Sequence, residues 1–296
     1  MSLNYVLCCE STADLTEEYL RERDIPFACF RFHMDGRDYK DDYGRSMPAE
    51  DFYERLRKGS VSQTSQVPAA DYESLWRPYL EKDMDIVHIT LSEGISGTYN
   101  SACLAAKLMQ EEFPGRSICV INSENASSGY GLIVSLAADR RDEGADFLSL
   151  TDYIKDIRGH VQAWFFTSDL SHLCRGGRIS KTACAFGTAL KICPVMTVNK
   201  EGKLEVVLKC RGKKKAMEAC LGKMLENCAE GSSYSGYFYI CHSDCIDDAL
   251  LMRDMAEARF KGLEGKTQIF NIGAVIGSHT GPGTIGIFFN GKEKER

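Results

Sequence analysis

Three polar side chains, Thr64, Ser96 and His279, stand at strand ends or in turns, where a chain can hold a ligand or move a proton. Ser96 lies in Gly94-Ile95-Ser96-Gly97-Thr98, between an apolar run over 86–91 and helical spacing of apolar residues from Thr98 onward. Gly94 and Gly97 allow tight turns, and Ser92, Ser96 and Thr98 bring hydroxyls to the unpaired N–H groups of a helix start. Such a loop either binds an anion or simply caps its helix. Thr64 belongs to a hydroxyl-rich stretch over 60–68 that lacks apolar periodicity and reads as a loop. His279 sits in Ile276–Thr284, too rich in glycine for a helix or strand interior, so a rigid turn is expected to hold the imidazole. That histidine either faces a ligand or bonds its own turn.

A Ser96 nucleophile with His279 as base would suit a small-molecule hydrolase or transferase. The nucleophile-elbow pattern G-x-S-x-G requires glycine where Thr98 stands, and no single acid is marked out to orient the histidine. Neither the Walker phosphate loop nor, after the first strand, the dinucleotide pattern G-x-G-x-x-G occurs. The tightest cysteine cluster, Cys241-His242-Ser243-Asp244-Cys245, lacks a second ligand pair of similar spacing, so strand-end packing is expected and no metal. Arg175, Arg178 and Lys181, then Arg211, Lys213, Lys214 and Lys215, form two basic clusters, which as lysine runs usually are solvated faces. The Arg175-Gly176-Gly177-Arg178 turn is different, because two guanidiniums on a glycine turn can reach an anion or an acidic partner with little hindrance.

A chain of 296 residues can bury a large core and form two domains. Its net charge of −6 argues against nucleic acid as the main partner. No apolar run approaches the roughly 18 residues that span a bilayer, and the N-terminus lacks a basic-then-apolar leader, so a cytoplasmic protein without a stable membrane anchor is expected. The thirteen cysteines are dispersed, often inside apolar runs, as reduced buried thiols would be.

The elements that must position these groups alternate in the first half. Strands are expected over 5–9, 25–32, 86–91 and 117–122, with a hairpin turn at Asp35-Gly36 and helices over 17–23, 51–59, 70–82, 98 onward, 127–141 and 148–158. This alternation predicts a mostly parallel sheet between helices. After Gly159-His160 strands are expected over 161–167, 194–199, 204–209, 237–241, 267–272 and 284–289, with a helix-like stretch over 169–177 and helices over 180–190, 213–228 and 246–261. The fold class is therefore α/β with two α/β domains: residues 1–159, and residues 160–296 with a mixed, partly antiparallel sheet flanked by helices. No linker separates them, so a ligand cleft between closely packed domains is expected.

Several separated motifs, in order, carry a resemblance: Glu10–Leu15, Thr64-Ser65-Gln66, Leu91–Ala102, Leu173–Ser180, Ala189–Pro194 and Gly277–Gly286. With these the chain resembles the DegV family, bacterial fatty-acid-binding proteins that serve a fatty acid kinase. The resemblance implies two α/β domains with a long-chain fatty acid between them and no cofactor. Thr64, Ser96 and His279 would hold the carboxylate, with Ser11, Ser65, Gly97 and Thr280 in support. It further implies that the protein does no chemistry itself but presents the acid to the kinase's catalytic subunit, which makes an acyl phosphate for phospholipid synthesis. Arg175, Arg178 and Arg211 would be the docking residues. Two positions depart from the family pattern: Glu10 stands where aspartate is usual, and Cys193 stands before Pro194 where lysine is common. Losing that lysine removes a charge near the inferred cleft and could alter partner docking.

Overall fold

The computed structural model describes residues 4–186 and 192–294. In chain order its elements are β1 (Tyr5–Glu10), α1 (Glu17–Glu22), β2 (Phe27–Ala28), β3 (Arg31–Met34), β4 (Arg37–Lys40), α2 (Ala49–Arg57), β5 (Ser62–Ser65), α3 (Ala69–Leu80), β6 (Asp85–Thr90), α4 (Thr98–Glu112), β7 (Ile118–Asn122), α5 (Ser127–Asp142) and α6 (Phe147–Ile157). There follow β8 (Val161–Phe166), α7 (Ser171–Arg175), α8 (Lys181–Phe186), β9 (Ile192–Val198), β10 (Leu204–Arg211), α9 (Lys213–Asn227), β11 (Phe238–His242), α10 (Ile246–Arg259), β12 (Gln268–Asn271), α11 (Ala274–Thr280) and β13 (Ile285–Asn290). The end of the helix expected over 180–190, and Ala189–Lys191 of the Ala189–Pro194 motif, fall outside the described residues.

The fold is mixed α/β. Four strands form a wholly parallel sheet in the order β2-β1-β6-β7, and six form a mixed sheet in the order β10-β9-β8-β13-β11-β12. Strand β1 shows why the first sheet is buried on both faces. Val6 and Cys8 point into a core with Tyr72 and Trp76 of α3 and Ala102 and Ala105 of α4, while Tyr5, Leu7 and Cys9 point into a second core on the opposite face. Helix α5 belongs to that second core and is buried on nearly every side, because it also packs on β8, β11 and β13 of the mixed sheet. Its residues Tyr130, Ile133 and Val134 therefore share one core with Leu7 of the parallel sheet and Phe288 of the mixed one. Helices α9 and α10 cover the other face of the mixed sheet.

Three local expectations change. The strand expected over 25–32 breaks around Cys29-Phe30: β2 joins the parallel sheet, whereas β3 pairs with β4 and β5 in a small antiparallel sheet. The stretch 60–68 is not all loop, for its centre is β5, an edge strand whose alternation of half-buried and exposed polar residues hides it from a search for apolar periodicity. His279 lies on a helix, α11, and not in a turn. Gly277 is tolerated inside that helix because it packs on Tyr53, whose hydroxyl an added Cβ would overlap.

The cysteines need one correction. Cys174 of α7 and Cys184 of α8 form a disulfide, with Cα atoms 5.6 Å apart, which the expectation of reduced thiols throughout did not include. The two short helices fold back on each other and bring together residues ten apart in sequence. The remaining cysteines are unpaired, and burial raises the pKa of Cys8, Cys9, Cys220 and Cys241.

Candidate functional site

Residues from both halves of the sequence enclose a cavity of about 380 Å³, within the range of small-molecule sites. Thr64, Ser96 and His279 all line it. Thr64 reaches it from β5, where it pairs in register with Phe32. Ser96 reaches it from the loop between β6 and α4, and His279 from α11. Of the supporting residues, Ser65, Gly97 and Thr280 also line the cavity, while Ser11 does not. Ser11 Oγ instead accepts from the Phe30 N–H at 3.2 Å.

At one place on the wall the polar groups converge. Thr64 Oγ1 and His279 Nε2 lie 2.8 Å apart, across 215 positions of sequence. The other ring nitrogen, Nδ1, is buried with no hydrogen-bond partner among the described residues. It rests against Gly176, where an added Cβ would overlap it, so the glycine of the basic turn is what lets α7 close on α11. Arg178 completes the group: its Nε donates to the Ile95 carbonyl at 3.1 Å and its Nη1 to that of Gly176. Ile95 directly precedes Ser96, so the guanidinium ties the serine loop to the turn that supports the histidine.

Electrostatics follow from this packing. Burial and the Arg178 charge hold the imidazole of His279 down at about 4, so it is neutral at pH 7. Burial also lowers the pKa of Arg178, which nevertheless stays a cation. Among the described residues Arg178 is the one charged side chain on the cavity wall. The rest of the lining is mainly apolar, including Phe165, Leu173, Val198, Leu204, Ile272 and Phe288.

The serine loop is held from outside the cavity. Ser92 Oγ donates to the Gly202 carbonyl at 2.8 Å, and Gly94 lies so close to the β9–β10 turn that an added Cβ would come within 2.6 Å of that same carbonyl. Ser96 Oγ accepts from the Thr98 N–H at 3.3 Å, within the turn that leads into α4. His279 is bonded to Thr64, and no hydrogen bond joins it to Ser96, so a nucleophile–base pair is not assembled among the described residues.

Of the three arginines singled out from sequence, Arg175 and Arg211 are exposed, whereas Arg178 is half-buried on the cavity wall. Two glycines beside Arg178 were the local signal for such a close approach. Cys193 is buried in β9, in the core between the mixed sheet and helices α9 and α10. Among the described residues no group of three or more histidine, cysteine or acidic side chains is placed to hold a metal, and no helix is long and apolar enough to cross a membrane.

Comparison with known proteins places this geometry among relatives. A family model described as uncharacterised protein, DegV family, matches residues 6–292. A DegV domain-containing protein of Clostridium perfringens is 31% identical over 291 residues, covering 98% of this chain and 99% of its own. A solved structure described as fatty acid binding of a DegV family protein from Thermus thermophilus is 29% identical, with a TM-score of 0.85 and coverage of 98% of this chain and 100% of its own. The Streptococcus pneumoniae fatty acid kinase (Fak) B3 protein, solved loaded with linoleic acid, is 19% identical and covers 97% of this chain and 99% of its own. Its TM-score of 0.83 is a likeness of fold.

Proposed function

The chain belongs to the DegV family, and we propose that it binds a long-chain fatty acid in the cavity between residues 1–159 and 160–296, which act as two domains. The observation that carries this reading is the composition of the wall: mainly apolar, with one cation and a cluster of hydrogen-bonding groups gathered beside it. A fatty acid has the same division. Its carboxylate would take hydrogen bonds from Thr64, Ser96 and His279, with Arg178 supplying the opposite charge. Each methylene withdrawn from water contributes about 0.8 kcal/mol, so the apolar wall supplies most of the affinity and the polar cluster fixes which end enters.

On this reading the protein is a carrier and not a catalyst, which agrees with Ser96 and His279 being hydrogen-bonded to different partners. It presents the bound acid to the catalytic subunit of a fatty acid kinase. Arg175 and Arg211, both exposed, are the proposed docking residues, while Arg178 is assigned to the cavity.

Organic extraction of the protein purified from a bacterial host, followed by mass spectrometry, tests the reading. A stoichiometric long-chain fatty acid is expected. Protein that is consistently empty, and that fails to bind added oleate or palmitate, would overturn it.

A further inference from the structure

The acidic pair in Glu10-Ser11-Thr12-Ala13-Asp14 takes no part in lining the cavity, yet both carboxylates are buried, at 0% and 4% exposure. Among the described residues neither has an ion pair with lysine or arginine. A carboxylate is costly to bury, and most of the hydrogen-bond donors that offset part of that cost lie on segments that carry the ligand site.

Glu10 Oε2 accepts from the Leu91 N–H at 2.8 Å, and Oε1 accepts from Thr98 Oγ1 at 3.0 Å and from the Tyr72 hydroxyl. Leu91 and Thr98 flank the loop that carries Ser96, so one side chain spans both ends of it. Asp14 Oδ1 accepts from the Gly273 N–H at 2.9 Å, and Oδ2 accepts from the hydroxyl of Ser127, itself a cavity residue. Gly273 is the N-cap of α11, the helix that carries His279, and Asp41 takes the next N–H, that of Ala274, at 3.1 Å. Between the two carboxylates runs a buried 3-10 turn, Ser11–Ala13, closed by the Asp14 N–H on the Ser11 carbonyl. That turn leaves little freedom between its ends.

We propose that Glu10 and Asp14 are positioning residues: together they form a bracket that sets the spacing of the two arms of the carboxylate site, Glu10 acting through Ser96 and Asp14 through His279. The proposal rests on the fatty-acid reading for its ligand and on the hydrogen bonds alone for its geometry. It explains the polar motif at the end of an otherwise apolar strand, which direct ligand contact does not.

The test titrates oleate against full-length protein carrying Glu10→Ala or Asp14→Gly, each alone and combined with Ser96→Ala or His279→Ala. Glycine at 14 suits its positive φ of 49°. Each single bracket variant is expected to weaken binding about tenfold, Glu10→Ala by less than about twofold once Ser96 is absent, and Asp14→Gly likewise once His279 is absent. Glu10→Gln should restore binding, because an amide can accept from Leu91 and donate to the two hydroxyls. Equal losses in every background, or no loss, would overturn the bracket. Hydrogen exchange reads it without ligand: Glu10→Ala should speed exchange in 92–98 and spare 274–280, and Asp14→Gly the reverse. Uniform acceleration of both would overturn it. If the wild type binds no oleate, the fatty-acid reading falls while exchange still decides the bracket. Should Glu10→Ala fail to fold, Thr98→Val removes one of the same bonds and must give the same local pattern.

Discussion

Replacing Thr64 with valine removes one hydroxyl while leaving the side chain nearly the same shape, and its consequences can be worked through. The 2.8 Å contact with His279 Nε2 disappears, and Nδ1 already has no partner among the described residues, so the buried imidazole is left bonded at neither nitrogen. An unsatisfied buried polar group costs about 1–3 kcal/mol, so Thr64→Val should lower the free energy of unfolding by that amount. In the proposed complex the carboxylate would lose one hydrogen bond and a well-oriented histidine. The same 1–3 kcal/mol corresponds to roughly a 5- to 150-fold weaker fatty acid affinity. The assay is a titration with saturated acids of increasing chain length, in wild type and variant. On the proposed reading the methylenes bind the apolar wall, so ΔG should fall along the series with one slope in both proteins, and the variant line should be displaced by a constant. Thr64→Ser, which keeps the hydroxyl, should lie near the wild-type line. An unshifted line for Thr64→Val, or a changed slope with an unchanged intercept, would refute a head group at Thr64.

Gly176→Ala places a methyl where His279 Nδ1 now lies; its helical φ of −69° accepts alanine, so the effect reports the imidazole's position, and oleate affinity should fall about tenfold with the chain-length slope kept. Acid stability should show opposing contributions. His279 is depressed from 6.5 to about 4, so the unfolded chain binds the extra proton and this histidine's contribution, present above pH 6.5, is lost as pH falls towards 4, by about 3 kcal/mol in all. Glu10, raised by burial to about 7 despite its hydrogen bonds, acts in the opposite sense, its contribution being complete below 4.5 and lost as pH rises through 7. Urea unfolding from pH 7 to 4 should therefore show His279→Gln gaining relative to wild type as pH falls; parallel curves would contradict the neutral buried imidazole. Charge reversal at exposed Arg211 should reduce acyl phosphate formation by the kinase several-fold while oleate binding stays unchanged, and loss of both would point instead to misfolding.

Local pattern carried a large part of this architecture. The apolar runs over 5–9 and 86–91 could be read as buried strands, observed as Tyr5–Glu10 and Asp85–Thr90, the glycine- and hydroxyl-rich loop around Ser96 as a strand-to-helix connection, and the alternation of the first half as a parallel sheet, because period and turn chemistry are properties of neighbours in sequence. Thr64 escaped as a strand because an edge strand with polar residues on both faces has no apolar period. The helix around His279 was hidden by a glycine whose use is a contact with Tyr53, more than two hundred residues earlier in the chain. What the sequence alone determined, then, was most of the elements, the fold class and, through ordered motifs, the family. Only the tertiary structure decided that Thr64 meets His279, that Arg178 turns inward, that Cys174 joins Cys184, and that Glu10 and Asp14 hydrogen-bond to Leu91 and Gly273. The first, second and last of these join residues more than eighty positions apart, and Cys174 and Cys184 meet only because two helices fold back on each other. Such pairings are set by how sheets and helices stack, and no local period encodes that.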